Sequence, residues 1–187
     1  MMNKQLIFLS IATIIGLSGC GNDTSDENHS NNNEHAKHEE MDHSSHSSSG
    51  EVPKDLNEAK NPTYKVGSQA FLKTDHMKGM DGAKATIVGA YDTTAYAISY
   101  SSTTGGERVE NHKWVVQEEI KDAGEETFAP GTEVTIEADH MEGMDGATAE
   151  IDSAEKTTVY MVDYTPTTGG EKVTNHKWVT ESELSTK

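Results

Sequence analysis

The sequence predicts an all-β protein: two tandem small SH3-like β-barrels after a disordered, histidine-rich linker. Three observations point there. The C-terminal part repeats itself at an offset of 64 residues, so that Asp75-His76-Met77-Lys78-Gly79-Met80-Asp81-Gly82-Ala83 returns as Asp139-His140-Met141-Glu142-Gly143-Met144-Asp145-Gly146-Ala147. Inside each copy the apolar residues alternate with a period of two, the strand signature, and no stretch after residue 60 carries a helical period. Glycines at 79, 82, 105 and 106 mark turns between those strands.

In chain order, residues 1–19 read as a lipoprotein signal peptide. Lys4 supplies the positive region and residues 6–17 a mostly apolar core, too short to span a bilayer as a finished helix. The segment ends in Leu17-Ser18-Gly19-Cys20, which looks like a bacterial lipobox with Cys20 as the lipidated residue. Cys20 is the single cysteine of the chain, which suits an anchor and rules out an internal disulfide. Residues 20–50 form the linker, rich in Asn, Ser, Asp, Glu and His, and too poor in apolar surface to offset the entropy of ordering. Residues 51–63 are a transition between Pro53 and Pro62, with 56–60 expected to form one helical turn.

Repeat one covers 64–120 and repeat two 128–187, with an acidic joint between them. Roughly half of the aligned positions are identical, which predicts one fold made twice. The expected strands are 69–73, 85–88, 95–100 and 109–116, the last followed by a short strand around the Trp, with counterparts in repeat two. Tyr96, Ile98 and Tyr100 then share one face. Five short strands in so few residues fit an SH3-like barrel, and pairing two such small units would help their stability.

The formal charge is −17, and loss of residues 1–19 with their one lysine makes it −18. Such a chain does not seek nucleic acid and is repelled by anionic headgroups; cations are its natural small partners, and a monomer is expected. Enzyme classes find no foothold. Gly-x-Ser-x-Gly, the P-loop and His-Glu-x-x-His are absent, and the paired carboxylates Asp75/Asp81 and Asp139/Asp145 read as loop residues.

The repeated loops suggest metal chemistry. Cu(I) prefers thioether, thiolate and imidazole, and in an oxidising compartment Met remains a usable sulfur donor where Cys does not. His76, Met77 and Met80, with His140, Met141 and Met144, therefore stand as candidate Cu(I) ligands, Asp75 being placed to orient His76. The bland reading is that the methionines fill gaps in a core. In Asn111-His112-Lys113-Trp114 and Asn175-His176-Lys177-Trp178 the tryptophans read as core. His112 and His176 stand between core and site, with His112 expected to approach His76 by fold analogy. The linker adds a looser site for Cu(II), Zn(II) or Ni(II) at His29, His35, His38, Met41, His43 and His46.

Taken together, Asp-His-Met-x-Gly-Met-x-Gly-Ala-x-Ala-Thr-Ile, Tyr-x-Ile-x-Tyr, Thr-Gly-Gly-Glu and Asn-His-Lys-Trp-Val resemble the YdhK family of small Firmicute lipoproteins. The likeness spans residues 50–187. Some of its members, the CopL-type lipoproteins, are linked to copper resistance, so the resemblance implies copper binding outside the membrane beside a copper-exporting ATPase. The expectation is a lipid-anchored protein on the outer face of a Gram-positive cell membrane that sequesters copper without turnover. The rival expectation is a pair of barrels that bind a wall peptide or partner protein through an aromatic groove. Exposed Tyr96 and Tyr100 would favour that rival; inward tyrosines with clustered His and Met would favour metal.

Overall fold

The two longest strands, one from each repeat, run antiparallel against each other over nearly their whole length and set the architecture. The computed structural model describes residues 47–186. Its strands are β1 (Asn57–Glu58), β2 (Gln69–Leu72), β3 (Lys84–Ser101), β4 (Arg108–Val116), β5 (Glu133–Thr135), β6 (Thr148–Tyr164), β7 (Val173–Thr180) and β8 (Leu184–Ser185). Two short 3-10 turns, Gln117–Glu119 and Glu181–Glu183, are the helical elements among the described residues. The all-β expectation holds, and the strands form one eight-stranded sheet with β5-β6-β3-β2-β8 as its main path.

Three expectations are corrected. The strands predicted at 85–88 and 95–100 are one continuous β3, paired with β6 from Ala85↔Tyr164 to Tyr100↔Ala149. The sheet that results passes through both repeats and is not closed into a barrel. The residues between the two predicted segments stay extended because β6 supplies partners there, as in Asp92↔Thr158 and Thr93↔Thr157. A register shift falls between Ile87 and Gly89, where a Cβ on Gly89 would meet the Tyr91 ring at 2.7 Å. The helical turn expected at 56–60 is instead strand β1, because Asn57 and Glu58 pair with Asp92 and Tyr91 on the same long strand.

Packing follows the shared ladder. One core joins Ala70, Leu72, Met80, Ala85 and Ile87 of repeat one to Tyr160, Val162, Tyr164, Val179 and Leu184 of repeat two. Its counterpart joins Tyr96, Ile98, Tyr100, Val115 and Ile120 of repeat one to Val134, Ile136, Met144, Ala149 and Ile151 of repeat two. Each core thus takes the first half of one repeat and the second half of the other. Strand pairs say the same: β2 pairs with β8, and Ile120 bridges Ile136. A third cluster, holding Trp114 and Trp178 with Ala95, Ala97, Val116 and Val159, lies on residues from both repeats. This exchange meets the need of small units to bury each other's surface, since neither half repeat encloses a core alone.

The loops that carry the His-Met motifs are tightly held. Gly143 has a φ of +74°, and a Cβ there would collide with Ser102 and stand 3.1 Å from the Thr104 backbone nitrogen. Thr103 binds the Gly143 carbonyl through both its backbone nitrogen, at 2.9 Å, and its hydroxyl, at 3.2 Å. Gly79 makes the matching contact with Thr167. Substituting Gly143→Ala should cost about 1–3 kcal/mol, from the left-handed backbone and the close approach together. A lowered thermal midpoint in that variant, next to an unchanged one in a Gly124→Ala control with open space around it, is the expected result.

Candidate metal and buried histidine–glutamate site

Each half contains a carboxylate, buried at Glu119 and partly buried at Glu183, that collects donors from both repeats. Glu119 ends the short turn after β4, and its Oε2 accepts the backbone N–H of Val116 at 3.0 Å. The same oxygen accepts the indole N–H of Trp178 at 3.0 Å, while Oε1 meets Nε2 of His140 at 2.7 Å. Glu183 repeats the arrangement, with Thr180 N–H at 2.9 Å, Trp114 Nε1 at 2.9 Å and His76 Nε2 at 2.7 Å. Thr74 adds its hydroxyl to Glu183 at 3.1 Å, where repeat two has Ala138 and offers no such donor. So the histidine and tryptophan of one repeat are held by the glutamate of the other.

These carboxylates stay ionised. Burial alone would raise Glu183, but hydrogen bonding and charge from His76, with the Thr180 and Trp114 donors, bring it down to about 2. Glu119 is also lowered: burial opposes, and His140, Val116 and Trp178 prevail. An ionised acceptor at Nε2 orders the imidazole. A neutral His140 must carry its proton on Nε2 to donate it, which leaves Nδ1 as the lone-pair nitrogen. Nδ1 of His140 and Nδ1 of His76 are both buried, and neither meets a hydrogen-bond partner in the protein. Side-chain exposure is 5% for His140 and 9% for His76, so solvent scarcely compensates. Leaving a buried acceptor unsatisfied ordinarily costs about 1–3 kcal/mol, and here the arrangement occurs twice.

The His112 ring lies 6.3 Å from that of His140, and Tyr100 stands edge-on to His112 at 6.0 Å. The Tyr100 hydroxyl donates to the Met141 sulfur at 3.8 Å, and burial keeps that phenol protonated by raising its pKa. In the other half Tyr164 stands edge-on to His176 at 5.7 Å, and half-buried Met77 packs on the core that contains Tyr164. Met80 and Met144 are fully buried at 0% exposure and lie one in each core, whereas Met77 and Met141 are half-buried.

Sequence-expected residues are thus sorted by geometry. His112 was expected to approach His76; its ring lies 6.3 Å from that of His140 of the other repeat. Asp75 was expected to orient His76; Glu183 does so, and Asp75 is exposed. Glu119 and Glu183 were missed, although they stand 64 residues apart among neighbours that change between copies. Positive-φ Asn111 and Asn175, at 51° and 53°, introduce His112 and His176, and the Lys113–Trp114 and Lys177–Trp178 peptides are cis. Cys20 and the linker residues His29, His35, His38, Met41, His43 and His46 lie outside the described residues. Among the described residues no three His, Cys, Asp or Glu side chains converge into a group that could hold a metal ion. His140, with Met141 next to it in the chain and the His112 ring 6.3 Å away, offers imidazole and thioether donors of the kind a soft ion of low coordination number takes.

Fold and sites together define a duplicated all-β domain with a glutamate-held histidine in each half. The chain belongs to the DUF1541 family: the model described as "Protein of unknown function (DUF1541)" matches residues 66–117 and 130–181, one copy per repeat. It is 62% identical over 179 residues to the uncharacterized protein YdhK of Bacillus subtilis, covering 96% of this chain and 87% of that one. The crystal structure of that DUF1541 protein aligns with a TM-score of 0.74 at 70% identity, over 80% of this chain and 100% of the other. A solution NMR structure of the YdhK C-terminal domain aligns with a TM-score of 0.62 at 72% identity, over 66% of this chain and 93% of that one.

Proposed function

We propose that this protein is a membrane-anchored lipoprotein that sequesters copper outside the cell membrane, as Cu(I) at its paired His-Met clusters. The observation that carries the reading is the doubled placement of a half-buried thioether and a buried imidazole in the two halves, Met141 with His140 and Met77 with His76. Cys20 is the lipid anchor in this reading, and the linker histidines hold Cu(II) or Zn(II) more loosely. Lowering free copper at the membrane surface would serve copper resistance, and a copper-exporting ATPase is the partner such a role calls for. The rival reading loses the feature it needs, because Tyr96 and Tyr100 are buried at 0% and 1% exposure and form no outer groove.

Cu(I) titration under reducing conditions tests this. Met77→Leu with Met141→Leu should weaken binding by at least about tenfold, since each removes a soft donor. Met80→Leu with Met144→Leu is a volume-conserving core change and should leave affinity near that of the parent. Equal Cu(I) affinity in the parent and in a chain carrying all four substitutions removes the thioether reading. At about pH 5 the linker imidazoles protonate and release metal, while thioethers do not, so Cu(I) retained there should belong to the folded part.

A further inference from the structure

We infer that the metal-facing atom of His76 and His140 is Nδ1, and that the glutamate of the opposite repeat fixes it in that role. The inference rests on the copper reading above and names its coordinating atom and its positioning residues. Glu119 Oε1 lies 2.7 Å from His140 Nε2, and Glu183 Oε1 lies 2.7 Å from His76 Nε2. Both Nε2 atoms are thereby committed to a carboxylate. Both Nδ1 atoms are buried and lack a hydrogen-bond partner in the protein. A histidine whose second nitrogen donates to a carboxylate is the usual arrangement behind a metal-bound imidazole: the carboxylate fixes the tautomer, aims the ring and raises ligand basicity.

Glu119 and Glu183 are themselves held firmly. Each takes the backbone N–H three residues earlier and the indole N–H of the partner repeat's tryptophan. Neither carboxylate is therefore free to swing round and ligate the ion itself. The tryptophans acquire a role beyond core filling, since they lock the carboxylate that locks the imidazole. Because Glu119 belongs to repeat one and His140 to repeat two, each site is composite. On this geometry a single repeat has a histidine without its carboxylate and a carboxylate without its histidine.

Nitrogen-15 NMR of the full-length chain, with labelled histidine and assigned His76 and His140 rings, tests the assignment. In the metal-free protein both rings should carry a proton on Nε2, held by the glutamate of the other repeat. Adding Ag(I), a diamagnetic stand-in for Cu(I), should shift Nδ1 of both rings while the Nε2–H signals persist. Glu119→Gln should weaken Ag(I) binding at His140 by about 10–100-fold and leave the His76 response intact, as for the loss of a residue that orients a ligand. Metal-induced shifts at Nε2 overturn the inference. Binding that moves the methionine methyl signals but neither histidine ring also overturns it, and leaves the copper reading standing on thioethers alone. Absence of any response in residues 47–186 overturns both. If Glu119→Gln unfolds, the tautomer and shift measurements on the parent chain still decide the matter.

Discussion

Replacing Glu119 with alanine should lower stability by about 3–5 kcal/mol, the usual cost of removing one member of a buried, hydrogen-bonded charged cluster. Glu119 is 2% exposed and satisfies three donors at once: Val116 N–H, Trp178 Nε1 and His140 Nε2. All three lose their acceptor in a place where solvent is scarce, Val116 and Trp178 being 0% exposed. The cost also spreads, because Trp178 sits in the cluster shared by both repeats. For a domain of this size such a loss lowers the thermal midpoint by roughly 10–15 °C. Denaturation followed by tryptophan fluorescence and circular dichroism should show both repeats melting together. A variant that removes the two side-chain donors too, Glu119→Leu with His140→Phe and Trp178→Phe, should be less damaged than Glu119→Ala alone, because only the Val116 N–H is then stranded. If the triple variant is the weaker of the two, the donors matter through packing and the electrostatic account fails.

That cluster also shows where sequence reading reached and where it stopped. The repeat, the all-β class and the strand positions followed from periodicity and turn residues, because those signals are local. Strand partners do not follow from period alone, and duplication makes this acute. Two copies with the same alternation offer nearly the same face to each other as to themselves, so pairing within a repeat and pairing between repeats look alike in the sequence. The exchange of halves set the His112 ring 6.3 Å from that of His140 and gave His76 and His140 their carboxylates from the far copy. Glu119 went unread for a second reason: a glutamate is rarely buried, so one beside a turn is taken for surface. Its persistence at 183, while Gln117 and Glu118 become Glu181 and Ser182, was the available signal. Met80 and Met144 show the converse. They repeat as faithfully as Met77 and Met141, yet the fold uses them to fill its two cores.

Acid should expose the glutamate clusters without any mutation. Glu183 has a folded pKa of about 2 against an ordinary 4.5, so the native state holds its ionised form more tightly than the unfolded chain does. A depressed carboxylate of this kind contributes stability that is fully present above the unfolded pKa and is lost as pH falls through the folded one. The window therefore opens near pH 4.5 and extends down to about pH 2. Across it Glu183 alone should forfeit about 3 kcal/mol, and its side chain is only 12% exposed, so solvent screening takes little from that figure. Glu119 shifts in the same direction and adds to the loss. Urea unfolding at about pH 7 and about pH 2.5 should give a marked drop in free energy for the parent chain. Glu183→Gln begins less stable but cannot titrate at that position, so its drop should be smaller by most of Glu183's share. Equal drops in the two proteins would mean that this carboxylate is no more ionised in the fold than in the unfolded chain. The ordering of His76 through Nε2 would then lose its basis.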